Sequence, residues 1–247
     1  SDLSAPDKGE EERKKKRGLC RRCWSFLIIM GDCVFGVACK DFVVLAADCS
    51  ASFSVLKLTD QLDKIYPVDD TKIMAVGGDS GDTVQFAELM RKNIALYAYR
   101  NSLQLGTKAA AHFIRHELAE AIRRNPVQCN LLLGGYDKEE GAASLYLLDY
   151  LGTMHKLNAT AQGYGVHFSL GIFDREYRED MSLEEAVDMV KHAIKEMQTR
   201  FLLSYPKFVI KAVTADGVQV IEDCTSTPAP ASTEDMAVDV AVASSSS

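Results

Sequence analysis

The stretch of sequence that decides the fold runs from Asp32 to Cys49 and reads DCVFGVACKDFVVLAADC. It contains two short runs rich in Val, Phe and Leu, 33–39 and 42–47, which a short polar break separates. This pattern is typical of a β-hairpin. The second run is apolar almost without interruption, which predicts a strand that is covered on both faces.

The second run ends at Asp48, and this carboxylate calls for a partner. A carboxylate at the end of a buried strand is costly to desolvate unless another group pairs with it. Lys64 lies near the end of another predicted strand, and an ion pair between the two would offset the burial of both. The pair is either structural, or part of a site in which a lysine tunes an N-terminal nucleophile.

Composition predicts one folded domain with two different ends. The chain has 247 residues, of which 47% are hydrophobic, enough for one sizeable core, and we expect the domain over 31–223. The charged run Lys8–Arg17 and the apolar patch Trp24–Met30 predict a flexible leader over 1–30. Ser, Thr, Ala, Pro and acidic residues predict a disordered tail over 224–247.

Charge and hydropathy argue against two classes of partner. The net charge of -7 argues against nucleic acid as the main partner. No segment approaches the ~18 uninterrupted apolar residues that a membrane span needs. The seven cysteines are odd in number and scattered, so we expect a reducing compartment and no disulfide framework.

Four helices are predicted, because apolar residues recur at spacings of three and four along four segments. These segments begin at or just after Asp82, Thr107, Gly165 and Ser182. Pairs that resemble a capping box, Asp82 with Gln85 and Ser182 with Glu185, support the first and the last of these starts.

The order of the elements predicts the fold class. Strands precede, separate and follow two consecutive helix pairs, and Asp216-Gly217 marks a hairpin between the last two strands. Paired helices disfavour parallel βαβ winding. We therefore predict an α+β protein, a four-layer α-β-β-α sandwich of two largely antiparallel sheets with one helix pair on each outer surface.

Four motifs that could carry chemistry have simpler interpretations. The GDSG segment 78–81 is better explained as a turn and helix cap than as a serine-protease nucleophile. His112 and His116 lie away from the apolar stripe of their helix, and Cys20 with Cys23 forms one CxxC without a second pair. Gly163-Tyr164-Gly165 lacks the spacing of a phosphate loop. We predict neither a metal site nor a cofactor.

Several segments agree in order and spacing with one known family, and the resemblance covers 31–222. They are GVACKDFVVLAAD (36–48), the Lys64 region, VGGDSGDTVQFAE (76–88), NLLLGGYD (130–137), LYLLDYLG (145–152), and GYG followed by SLGIFDREY (163–177). The sequence resembles the proteasome β-subunit family, and this resemblance implies the N-terminal nucleophile hydrolase fold.

The resemblance implies a site that has lost its nucleophile. Active members of the family begin with a threonine whose hydroxyl attacks the peptide carbonyl, and the family's register puts Asp32 at that position. Tyr164 stands where active members carry a serine. The other site residues match the family: Asp48, Lys64, Asp180 and Gly78, whose backbone amide would be an oxyanion donor.

The resemblance therefore implies a non-catalytic β-subunit of the 20S core particle in ubiquitin-dependent protein degradation. Its implied partners are other β-subunits in a hetero-heptameric ring, an α-ring, an opposing β-ring and, indirectly, a regulatory particle. The implied location is the cytoplasm and the nucleus. From its Ser-rich surroundings, Phe53 is a candidate for contact with a neighbouring subunit, and ordinary core packing is the alternative.

Two alternative functions stay open at this point. Cys33 is chemically adequate as an N-terminal nucleophile, which would make the chain a self-processing amidohydrolase. However, a shift of one residue along a strand turns the side chain to the opposite face, so Cys33 should point away from Lys64. The second alternative is a stand-alone binding module of the same fold.

Overall fold

The computed structural model of the chain describes residues 31–53 and 56–224. Within them lie twelve strands: β1 (Val34–Ala38), β2 (Val43–Asp48), β3 (Ala51–Phe53), β4 (Leu56–Thr59), β5 (Ile65–Asp69), β6 (Lys72–Gly78), β7 (Cys129–Asp137), β8 (Ala142–Leu148), β9 (Met154–Leu157), β10 (Ala159–Gln162), β11 (Phe208–Thr214) and β12 (Gly217–Glu222). The same residues form four α-helices: α1 (Ser80–Asn101), α2 (Thr107–Ala121), α3 (Val166–Glu176) and α4 (Leu183–Arg200). The predicted leader and the tail beyond Cys224 lie outside the described residues.

Ten of these strands form two five-stranded sheets. The first sheet has the order β10-β1-β2-β11-β12, and the second has the order β5-β6-β7-β8-β9. Every pair of neighbouring strands in both sheets is antiparallel. The remaining strands, β3 and β4, pair only with each other.

The two sheets pack face to face, and β2 shows how the sequence encodes this. Val43, Leu45 and Ala47 lie in the core between the sheets, together with Leu132 of β7. The intervening residues of β2 lie in the core between the first sheet and the helices α3 and α4. All six residues of β2 are buried, because both faces of the strand are covered.

The helices cover the outer surfaces in pairs. Helices α1 and α2 pack on the second sheet through residues that include Met90 and Ile114. Helices α3 and α4 pack on the first sheet through residues that include Phe173 and Val190. The predicted α-β-β-α sandwich is confirmed.

Of the two helix starts predicted from capping-box sequences, one is confirmed and the other is wrong. The capping box of Ser182 and Glu185 is present, with both reciprocal hydrogen bonds. The prediction for the first helix was wrong by three residues, because the N-cap residue is Asp79 instead of Asp82 and α1 begins at Ser80. Asp82 instead accepts a hydrogen bond from the backbone N–H of Gln128, 2.9 Å away, which ties α1 to the chain before β7.

Two further observations concern the ends of the described chain and its helices. Cys224, which the sequence assigned to the disordered tail, is buried beside the core between the sheets. Within 31–53 and 56–224, no helix has the length and the apolar character needed to cross a membrane.

Candidate functional site

Four residues singled out in the sequence meet where the two sheets face each other. Asp32 precedes β1 and Asp48 ends β2, so both belong to the first sheet. Lys64 directly precedes β5 and Gly78 ends β6, so both belong to the second sheet. These four residues are called the Lys64 site below.

The ammonium group of Lys64 lies at the centre of this site. It donates hydrogen bonds to Asp32 Oδ1 at 2.7 Å, to Asp48 Oδ2 at 2.9 Å and to the carbonyl of Ser50 at 2.8 Å. An ammonium group has three N–H donors, so these acceptors use all of them. Burial alone would lower the pKa of Lys64, but the two carboxylates outweigh it and raise the pKa above its ordinary value. The predicted pairing of Lys64 with Asp48 is confirmed.

Asp48 is held by backbone groups as well as by the lysine. Its Oδ1 accepts a hydrogen bond from the N–H of Cys33 at 2.8 Å, and its Oδ2 accepts one from the N–H of Ser50 at 3.1 Å. Burial raises the pKa of the Asp48 carboxyl, and the Lys64 ammonium opposes that shift. These contacts satisfy a carboxylate that would otherwise be costly to bury.

Asp32 bridges two groups of the second sheet. Besides the ion pair with Lys64, its Oδ2 accepts a hydrogen bond from the backbone N–H of Gly78 at 2.8 Å. In acyl-transfer sites, a backbone N–H of this kind stabilises the oxyanion that develops on the substrate. Here the carboxylate of Asp32 already occupies that N–H and one donor of the lysine.

Two glycines make this contact sterically feasible. Gly78 has φ +141°, and a Cβ at this position would lie 2.3 Å from the carbonyl oxygen of Gln128. A Cβ on Gly77 would lie 3.1 Å from the Cβ of Asp32. A side chain at 78 would therefore strain the backbone that presents the N–H to Asp32, and a side chain at 77 would crowd the side chain of Asp32.

Cys33 faces the other side of β1. Its side chain is fully buried in the core between the first sheet and α3 and α4, whereas Val34 lies in the core between the sheets. Burial raises the pKa of the Cys33 thiol to about 12, which leaves almost no thiolate at neutral pH. The structure therefore argues against Cys33 as a nucleophile, for the reason of strand alternation that the sequence suggested.

Tyr164 and Asp180 do not join the Lys64 site through hydrogen bonds. Tyr164 lies in a short 3-10 turn between β10 and α3, and its ring packs against Phe201 with centroids 4.9 Å apart. Asp180 is exposed ahead of α4, and no hydrogen bond or ion pair among the described residues joins it to Lys64. The resemblance grouped these two residues with the site, and among the described residues hydrogen bonds join only the other four.

The remaining motifs stay close to their simpler interpretations. His112 and His116 are exposed on α2, and the described part of the chain contains no group of three or more His, Cys, Asp or Glu that could hold a metal ion. The GDSG segment leads into α1, with Asp79 at the N-cap position. Cys20, Cys23 and the side chain of Phe53 lie outside what the structure describes.

A second buried lysine lies elsewhere on the second sheet. Lys72, at the start of β6, donates hydrogen bonds to Asp69 Oδ2 at 2.9 Å and to Thr71 Oγ1 at 3.0 Å. It lines a cavity of about 520 Å³ beside the start of α2. No sequence pattern singled out this lysine, although both of these partners lie within three residues of it in the chain.

The backbone partners of the Lys64 site were not predicted either. The carbonyl of Ser50 and the N–H of Cys33 complete the hydrogen bonds of the lysine and of Asp48. Every residue has a carbonyl and almost every residue has an N–H, so no residue type marks these positions. The one signal in the sequence was Asp48 at the end of β2, because a buried carboxylate needs hydrogen-bond donors close to it.

Comparison with known proteins agrees with the fold. The model of the proteasome subunit family matches residues 29–213. "Proteasome subunit beta type-2-B" of Arabidopsis thaliana is 48% identical over 188 residues, which are 76% of this chain and 94% of the relative. "Proteasome subunit beta type-2" of Oryza sativa subsp. japonica is 47% identical, over 76% of this chain and 88% of the relative.

A fungal protein extends the same likeness. "Proteasome subunit beta type-4" of Saccharomyces cerevisiae is 37% identical over 193 residues, which are 78% of this chain and 98% of the relative. Identities of this size over most of both chains, together with the two stacked antiparallel sheets, leave one assignment. The chain belongs to the proteasome β-subunit family.

Proposed function

We propose that this chain is a non-catalytic β-subunit of the 20S proteasome core particle, which helps to build the β-ring and the proteolytic chamber. Two observations support this proposal. The relatives named above are β-subunits of types 2 and 4. The Lys64 site, in addition, has the geometry of a closed ion-pair cluster.

The contact of Asp32 with Lys64 and Gly78 is the observation that carries the proposal. Covalent attack on a peptide carbonyl, as active members of the family perform it, needs a hydroxyl or thiol at position 32, and a carboxylate supplies neither. The same carboxylate occupies the N–H of Gly78, which a substrate oxyanion would need. A substrate would have to displace Asp32 without gaining a nucleophile.

The proposed partners follow from family membership. They are other β-subunits in a hetero-heptameric ring, an α-ring on one side, an opposing β-ring on the other and, indirectly, a regulatory particle. The proposed location is the cytoplasm and the nucleus. Specific, stable protein interfaces bury roughly 1,200–2,000 Å² in total, so a ring subunit should present apolar surface on several sides.

The proposal can be tested on the assembled particle, isolated through a tag on this chain. An inhibitor directed at N-terminal nucleophiles should label other subunits and leave this chain unlabelled, and the peptide bond between Asp32 and Cys33 should be uncut. Mass spectrometry of the separated chains reads both outcomes. Label on this chain, or a mature chain that begins at Cys33, would contradict the absence of catalysis. Recovery of the tagged chain as a monomer would contradict its place in the ring.

Phe53 remains the proposed contact with a neighbouring subunit. Its backbone ends β3, and the two-stranded ribbon of β3 and β4 carries Leu56 and Leu58, which are 68% and 70% exposed. An isolated two-stranded ribbon is only marginally stable in water, so a protein surface that covers it would stabilise it. Phe53→Ala should reduce incorporation into the particle, and Phe53→Leu should restore part of it. Unchanged incorporation in Phe53→Ala would exclude the contact.

A further inference from the structure

An exposed apolar patch lies outside the Lys64 site, on the layer formed by α3 and α4. Leu202 and Leu203, which follow α4, are 95% and 46% exposed. They adjoin Phe201, which contacts the partly buried rings of Tyr164 and Phe168 at centroid distances of 4.9 and 5.8 Å. These five residues are called the 201–203 patch. Single exposed leucines are ordinary, whereas a continuous apolar surface marks a contact site.

The described chain begins beside this patch. The hydroxyl of Tyr205 donates a hydrogen bond to the carbonyl of Gly31 at 2.5 Å. The ring of Tyr205 stacks on that of Phe201, with centroids 6.0 Å apart and an interplanar angle of 5°. Tyr205 therefore holds Gly31 next to the patch, with only the ring of Tyr205 between Gly31 and Phe201. Residue 30, which precedes Gly31 in the chain, must start from this place.

The residues directly before Gly31 have the composition that such a patch would bind. Segment 24–30 reads WSFLIIM and contains six apolar residues and one serine. Seven extended residues span at most about 25 Å, which is ample for a surface that starts at the neighbouring ring. Contact would remove the apolar side chains of segment 24–30 and of the 201–203 patch from water, which is favourable. Because segment 24–30 is covalently linked to Gly31, the contact is intramolecular.

We propose that segment 24–30 folds back on the 201–203 patch and covers Leu202 and Leu203. The docked segment would lie beside Asp32 and would bury the apolar surface that the described residues leave open. Its binding energy comes from a tethered contact within one chain, so it needs no other subunit. This docking is therefore independent of the proposed role in the proteasome.

The chain contains a natural probe for this contact. Trp24 is the only tryptophan and lies in segment 24–30, so the tryptophan fluorescence of the full-length chain, excited selectively over its tyrosines, reports on that segment alone. Docking should shift the emission maximum to shorter wavelength than that of free N-acetyltryptophanamide. It should also lower the Stern–Volmer constant for quenching by acrylamide. Both effects should be independent of protein concentration.

Three variants make the test specific. Leu202→Ser combined with Leu203→Ser should move the emission maximum and the quenching constant of Trp24 towards the values of the free amide. Ile28→Ser combined with Ile29→Ser should have the same effect from the other side of the contact. The control Leu103→Ser removes a leucine that is 56% exposed after α1, on the opposite outer layer, and should leave both readings unchanged.

The outcomes separate this docking from its alternatives. If Trp24 is quenched as readily as the free amide in the unmodified chain, segment 24–30 does not cover the patch. If shielding appears only as the protein concentration rises, a second copy is the occupant and the intramolecular contact is excluded. If neither double variant increases quenching while circular dichroism shows an intact fold, Trp24 is shielded elsewhere and the proposal is overturned.

Discussion

Lys64 and Lys72 are both buried on the second sheet, and both are paired with carboxylates, yet they differ in what they join. Lys72 takes its partners from its own strand connection, Asp69 and Thr71, within three residues in sequence. Lys64 takes its partners from 14 to 32 residues away, in or next to strands β1 and β2 of the other sheet. One lysine closes a turn, whereas the other joins the two halves of the sandwich.

The difference shows that burial of a lysine and a carboxylate does not by itself mark a functional site. What sets the Lys64 site apart is the convergence of side chains from separate segments on one backbone N–H, that of Gly78. Asp69 also keeps contact with water, since its side chain is 19% exposed, whereas Asp48 is almost completely enclosed. The two lysines should therefore respond very differently to substitution.

The largest expected effect is that of removing Lys64. Lys64→Met should lower the free energy of unfolding by about 3–5 kcal/mol, because it leaves Asp48 buried without a counter-charge. Lys72→Met should cost less, about 1–2 kcal/mol, since Asp69 reaches water and keeps its hydrogen bonds from Thr71. Urea unfolding of both variants at neutral pH measures the difference. Equal losses would mean that burial alone sets the energy of each pair.

The next effect isolates the bridge made by Asp32. Asp32→Asn keeps the size of the side chain and removes its charge, so we expect a loss of about 1–2 kcal/mol. The loss should be smaller than that of Lys64→Met, because Asp48 still pairs with the lysine. Asp180→Asn is the matched control, an exposed carboxylate whose change should stay within about 0.5 kcal/mol. If Asp180→Asn lowers the unfolding free energy as much as Asp32→Asn does, the loss does not come from the contacts of Asp32 with Lys64 and Gly78.

A third experiment follows the charge of Lys64 with pH. Because its pKa is raised in the folded protein, its contribution to stability is present below 10.5 and is lost as the pH rises through the folded pKa. A tenfold difference in proton affinity between the folded and unfolded states corresponds to about 1.4 kcal/mol. The difference in unfolding free energy between the unmodified chain and Lys64→Met should therefore shrink above pH 10.5. A difference that grows over that range would contradict the raised pKa.

The smallest expected effect concerns the thiol of Cys33, which faces away from Lys64. With its pKa raised to about 12 from the usual 9.0, the Cys33 thiol should have about a thousand-fold less thiolate than an exposed cysteine. Cys33 should therefore resist iodoacetamide in the folded protein and react once the protein is unfolded. Peptide mapping by mass spectrometry locates the label. Rapid labelling of Cys33 in the folded chain would reopen its role as a nucleophile.

Local patterns predicted much of this molecule. The apolar run that ends at Asp48, the capping box at Ser182 and the turn at Asp216-Gly217 each rest on neighbours within a few residues, and each is present. The pairing of Asp48 with Lys64 also followed, because a buried charge must find an opposite one. The start of α1 was misplaced, since Asp82 is used by a distant backbone N–H instead of by its own helix.

The sequence alone thus determined the layered fold and the family, because periodicity and residue identity are local properties of the chain. Only the tertiary structure decided that the Asp32 carboxylate reaches both Lys64 and Gly78, and that Tyr164 and Asp180 stay outside this hydrogen-bonded cluster. The physical reason is that these contacts depend on how two sheets are stacked. Stacking fixes distances between segments that no spacing along the chain encodes.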